Sequence, residues 1–226
     1  MTTQTQPGGR EADSIEPPQP RWPAVVATLA IGGLDMVLPA SLVAGPRWLL
    51  LATVSVLLVP TIVTHRIGLQ RMNHVLGQLV AAIVTGFTVW SVARLIQALP
   101  SHSEPPVTLL RSAAALWVSN ILVFASWYWR LDAGGPHIRD QRAGHPSGAF
   151  LFPQMTLDTT RKDEDPRDIW SPQFVDYLFL AFNTSTALSP TDTPVLSRWA
   201  KVLCMIQASI SLAIIVILAA RAVNIL

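Results

Sequence analysis

The chain of 226 residues is 50% hydrophobic and only 13% charged, with a mean hydropathy of +0.40. Soluble domains carry about 25% charged residues, so this composition lacks the polar surface that water demands and excludes an ordinary soluble domain. A net charge of +2, from 16 Lys+Arg against 14 Asp+Glu, is too small for a nucleic-acid surface, and one cysteine, Cys204, excludes an internal disulfide.

Residues 1–21 are rich in Pro, Gly, Gln and Thr, without an apolar period, and are expected to form a disordered tail. Three acids against Arg10 argue against a signal peptide, which needs a basic start before a short apolar core. A bilayer crossing takes about 20 helical residues. Four such segments are expected within 22–129: 22–43, interrupted by Asp35 and Pro39; 48–64, carrying Pro60; 74–99, with Gly77, Gly86 and Arg94; and 107–129. Trp22, Trp48, Trp127, Trp129, Trp170 and Trp199 lie near segment ends, where an amphipathic ring prefers the headgroup level. Trp90 and Trp117 are expected to pack within the protein.

Residues 130–171 form a polar, solvent-facing loop holding Gly-Gly, four prolines, six basic and seven acidic residues, with AFLFPQM as the one apolar patch able to order part of it. The remaining unit, 172–226, begins with an apolar stretch of about 15 residues, short for a span, that breaks into Asn, Thr, Ser and Pro. A long apolar segment, 195–226, follows, with SISLAIIVILAA at its centre. A short helix, a polar turn and a full helix describe a re-entrant segment, because irregular backbone at membrane depth is tolerated only where it is buried in protein or lines a water-filled cavity. The expected fold is therefore all-α and membrane-integral, with about five transmembrane helices and a pore-loop-like segment before the last.

That final unit resembles the pore helix, filter and inner helix of the tetrameric potassium-channel superfamily. Asn183-Thr184-Ser185-Thr186-Ala187 stands where the family's threonine-rich signature begins, Leu188, Ser189, Pro190 and Thr191 occupy the filter, and Asp192 stands near the family's acidic residue. The whole chain also resembles bacterial membrane proteins grouped only as a domain of unknown function. The resemblance implies a homo-oligomer, four-fold, that passes ions through a multi-pass protein of the cell membrane. The departure is as informative as the match. A potassium filter needs glycines so that successive carbonyls can all face the ion, and here Leu188 and Pro190 stand in that stretch, which has no glycine. The expectation is a hydroxyl-lined constriction from Asn183, Thr184, Ser185, Thr186 and Ser189, with Asp192 at its mouth, weakly selective among small cations. The alternative is a non-conducting structural or accessory protein of the bilayer, binding a partner through the long loop or through the small polar stripe of Cys204, Gln207, Ala208 and Ser211.

Charges inside membrane segments are functional candidates by default; here these are Asp35, Arg94 and Asp176. Asp176 also suits a plain structural role in the first turn of a helix, where the dipole favours a carboxylate. His137, Asp140 and His145 share the long loop without a metal-ligand spacing, and no catalytic constellation is visible, so neither metal, cofactor nor enzyme activity is expected. Orientation is contested: channel-like pore loops enter from outside, whereas the basic residues of 130–171 belong inside by the positive-inside rule. The channel-like orientation is preferred.

Overall fold

In the computed structural model, residues 19–101, 104–141, 148–156, 170–186 and 192–223 are described, with side chains left out at 99–101 and 223. The described residues form helices α1 (Trp22–Asp35), α2 (Leu49–Arg66), α3 (Gln70–Ser101), α4 (Pro106–Leu131), the single turn α5 (Pro136–Arg139), α6 (Phe174–Thr186) and α7 (Arg198–Val223). Among them the only β pairing is one antiparallel bridge, Phe150 with Val195. Four helices, α2, α3, α4 and α7, are long and apolar enough to cross a membrane. Their outward faces are apolar too: Val56 and Val59 on α2, and Met205, Leu212 and Val216 on α7, are all more than half exposed. A helix that is apolar on every side is at home in lipid, not in water. The chain is built as a multi-pass membrane protein.

α4 is the central post, packed against α1, α3, α6 and α7. Its small residues, Ser112, Ala113, Ala115, Ser119 and Ala125, let these neighbours approach closely. The core lies in two layers along it. One gathers Ile31, Val54, Phe124, Tyr128, Phe150, Phe174 and Tyr177 toward the end of α4; the other gathers Leu38, Leu42, Leu95, Leu109, Leu116, Ile214 and Ile217 toward its start.

Two sets of polar contacts mark the two ends of the bundle. At the loop end, Gln19 N donates to Asp140 Oδ1 (3.1 Å), Arg21 pairs with Asp140, and His137 Nε2 donates to Asn73 Oδ1 (2.7 Å). At the far end, Ser41 Oγ donates to Glu104 (2.6 Å) and Arg94 Nε donates to the Ser41 carbonyl (3.1 Å). The first apolar segment therefore reaches from one end to the other, but not as one helix. α1 stops at Asp35, and turns through 36–48 bury Leu38, Leu42 and Val43 to complete the path. Pro39 and Pro46 cannot donate to a helix ladder, which accounts for the break.

Part of the expected solvent loop is folded onto the helix ends. Asp132–Gly135 reverses the chain with Ala133, Gly134 and Gly135 all at positive φ. A side chain at Gly135 would meet the Arg130 carbonyl at 2.8 Å, so this turn needs its glycine. The apolar patch then returns: Ala149, Phe150 and Phe152 are buried. The expected tail is ordered at its last residues, where Gln19 and Arg21 are hydrogen-bonded to Asp140; residues 1–18 lie outside the described residues. Trp90, expected to pack inside, is instead 51% exposed on α3.

Candidate functional site

α6 begins beside the folded-back patch. Asp176 accepts a hydrogen bond from Gln173 N (2.7 Å), closing the helix start as a cap. Phe174 meets Trp129 edge-on at 5.9 Å, and Tyr177, fully buried, donates to Asp132 Oδ2 at 2.6 Å. The other oxygen of Asp132 accepts from Ala149 N at 2.5 Å. One carboxylate thus ties α4, the returning patch and α6 together.

Phe150 sits at the junction. Its ring lies 6.2 Å from Tyr177 near the start of α6 and 6.2 Å from Trp199 at the start of α7. Its strand segment pairs with the chain entering α7, through Leu151 N to the Pro194 carbonyl (2.9 Å) and Leu196 N to the Ala149 carbonyl (2.8 Å). The start of α6 and the start of α7 are therefore at the same level.

The far end of α6 is held at a different level by Gln207. This side chain, 0% exposed on α7, lies roughly 14 Å along the axis from Arg198 at 1.5 Å per residue. Gln207 Nε2 donates to the Ala181 carbonyl (2.7 Å) and to Ser185 Oγ (2.7 Å), while Gln207 Oε1 accepts from the Tyr128 hydroxyl (2.6 Å). One turn further, Asn120 Nδ2 donates to Ser211 Oγ (2.7 Å) and to the Gln207 carbonyl (3.3 Å). Burying an amide in an apolar medium is costly unless its hydrogen bonds are made, and here they are made within the chain, across α4, α6 and α7. The polar stripe of α7 thus serves this chain's own helices at Gln207 and Ser211, while Ala208 is exposed.

The candidate pore residues separate accordingly. Ser185 is buried in the Gln207 contact. Thr184 and Thr186 donate back to the carbonyls of Leu180 (2.9 Å) and Phe182 (3.0 Å). Asn183 and Thr184 are half-buried, Thr186 and Asp192 exposed. Ser189, with 187–191 as a whole, lies outside the described residues.

The charged candidates also separate. Arg94 is exposed at the far end, and its Nε donates to the Ser41 carbonyl. Asp35 is 6% exposed at the last residue of α1, and its carboxylate finds no hydrogen-bond partner among the described residues. Asp140 pairs with Arg21 and His137 with Asn73, while His145 lies outside the described residues. Among the described residues no group of three His, Cys, Asp or Glu is arranged to hold a metal.

No family model, curated protein or solved structure matches this chain. Its site is read from its own geometry.

Sequence reasoning missed Gln207 as the centre of the buried contacts, Asp132 as the tie at the loop end, and Arg130. The signal for Gln207 was present: a lone amide within a run of apolar residues must find partners, and Tyr128 and Ser185 were among the polar groups on neighbouring segments.

Proposed function

We propose that this chain is the subunit of an oligomeric pore-loop protein of the cell membrane, four-fold in symmetry, which passes small cations with little selectivity. The observation that carries the reading is the place of Phe150, against both the start of α6 and the start of α7, while Gln207 holds the end of α6 deeper along α7. A helix of 13 residues rises only about 20 Å, against about 30 Å for the hydrocarbon core. A segment that enters and leaves at one level and stops part-way is a re-entrant half-helix. With α1 and its turns as a crossing, the chain then has five crossings and one half-helix.

The chemistry of the half-helix end favours a cation. Its last carbonyls lack the helix donors further along, and the dipole places partial negative charge there. Thr186 and Asn183 add acceptor oxygens, and Asp192, exposed in each subunit, would contribute one carboxylate per copy to a ring at the mouth. Leu188 and Pro190 stand against a ladder of glycine carbonyls, so ions pass partly hydrated and potassium and sodium permeate within a few-fold of each other.

The test is a reversal potential under a potassium/sodium gradient in a reconstituted bilayer, with oligomeric state measured in mild detergent. Asp192→Asn should lower cation current, more so at low salt, since an exposed carboxylate is screened within a Debye length of about 10 Å at 0.1 M. Strong potassium selectivity would refute the filter argument, and a clean monomer without current would refute the pore.

A second reading rests on the buried amide network. Ser185 and Gln207 are engaged inside the protomer, as they would be in a non-conducting protein that uses polar side chains only to hold its helices. Such a protein gives no current in the same bilayer, yet loses capture of its partner when residues 157–165, the part of the long loop beyond the buried Phe150 and Phe152, are deleted.

A further inference from the structure

Arg130 closes the inner side of α4 at the loop end, among α1, α3 and α4. Its Nη1 rests against α3 at Gly77, where a methyl group would overlap it, so the missing side chain of that glycine is the seat of the guanidinium. The Arg130 Nε is buried, and no hydrogen bond or ion pair from a described residue reaches the group. Beside it, Thr28 and Ser126 line a small cavity with room for roughly one water.

Arg21 brings a second guanidinium to the same place. Its Nη2 pairs with Asp140, but its Nε and Nη1 are buried without a partner among the described residues. The central carbons of Arg21 and Arg130 lie 5.4 and 5.6 Å from the centroid of one indole ring, that of Trp129, whose own Nε1 is also buried and unpartnered among the described residues. The described carboxylates at this end are already engaged: Asp140 with Gln19 N and Arg21, Asp132 with Ala149 N and Tyr177, Asp176 with Gln173 N. Contact with an aromatic face offsets only part of the cost of burying a cation. Among the described residues, the two like charges over one ring and the buried donors on three side chains have Asp140 alone as a group that only accepts, and of these donors it reaches only Arg21 Nη2.

We propose that Arg21, Trp129 and Arg130 form a binding site for a phosphate-type oxyanion at the loop end of the bundle. The planar guanidinium fork matches two oxygens of a phosphate at once, which a spherical halide cannot offer. The phosphate enters either as a free group from water, matched by the guanidinium geometry alone, or as the headgroup of a lipid in the adjoining leaflet, which basic pockets between membrane helices bind.

The experiment uses the full chain in mild detergent, with Tm followed by tryptophan fluorescence at constant ionic strength. Inorganic phosphate replacing chloride should raise the Tm of the wild type in a saturable way. Arg130→Gln and Arg21→Gln should each weaken the apparent affinity roughly tenfold or more, the scale of a lost charge-assisted contact. Gly77→Ala keeps both arginines and improves helix propensity, yet displaces the Arg130 guanidinium, and it should lose the response as well; it covers the case in which Arg130→Gln fails to fold. In a parallel arm, the protein is placed in nanodiscs of phosphatidylcholine with or without phosphatidylglycerol. Stabilisation by phosphatidylglycerol alone, lost in the same variants, assigns the site to lipid; stabilisation by inorganic phosphate assigns it to a free anion. A response to neither, or a response that Arg130→Gln and Gly77→Ala both retain, overturns the proposal.

Discussion

Gln207→Leu is the most informative single change, because the side chain volume is nearly kept while three hydrogen bonds are removed. Gln207 bonds the Ala181 carbonyl, Ser185 Oγ and the Tyr128 hydroxyl. Side-chain hydrogen bonds between membrane helices contribute about 0.6 kcal/mol each on average and about 1.7 at most. The three together set an expected loss of about 2 kcal/mol, with a ceiling near 5 if the stranded Tyr128 and Ser185 hydroxyls find nothing else. The assay is denaturant unfolding in mixed micelles. Ser185→Ala alone should cost about a third as much. In a double-mutant cycle with Gln207→Leu, the pair should couple by about 0.6–1.7 kcal/mol, because they share one bond. Adding Tyr128→Phe to that double variant should recover part of the loss, since both sides of each hydroxyl contact are then apolar. If Gln207→Leu is as stable as the wild type, or if the two changes are additive, the network does not hold α6 in place. The depth assigned to its end then fails with it.

Asp132→Asn should weaken the tie between α4, the returning patch and α6, because charge-assisted bonds to Ala149 N and Tyr177 become neutral ones, a loss of about 1–2 kcal/mol. Limited proteolysis near 142–156 should accelerate several-fold, and an unchanged cleavage rate would remove Asp132 from that role. His137 is pushed down to about 4 by burial and by the positive charges of Arg21 and its histidine neighbours, against the weaker opposing pull of Asp140. Its folded pKa lies below the unfolded value of about 6.5, so its contribution to stability is fully present above that value and is lost as pH falls toward 4. The difference in stability between wild type and His137→Gln should shrink across that window. A difference independent of pH would show that His137 does not titrate with folding.

Much of the architecture was legible in composition alone. Long apolar runs with few charges can satisfy their backbone groups only as helices in lipid, so helix number and approximate ends follow from residue order. The short length of the 174–186 helix was legible for the same reason, and Asp176 at the start of that helix took the capping place its position implied. What residue order could not decide is which polar groups meet. Ser185 and Thr186 are neighbours in sequence and alike in chemistry, yet one is buried against Gln207 and the other exposed. That division depends on the angular position of each around α6 once α6 lies against α4 and α7. Arg130 reads in sequence as an ordinary basic residue at a helix end; only the approach of α3 at Gly77 and of Arg21 beside Trp129 makes it a half-buried charge whose Nε has no partner among the described residues. Asp35 and Pro39 marked the interruption of the first segment, but the turns that bury Leu38 and Leu42 exist because the far layer of the core offers Leu95, Leu109 and Ile214 to pack against. Local propensity sets where helices start and stop; burial across elements more than 80 residues apart, as between Asn120 and Ser211, sets what those helices do to each other.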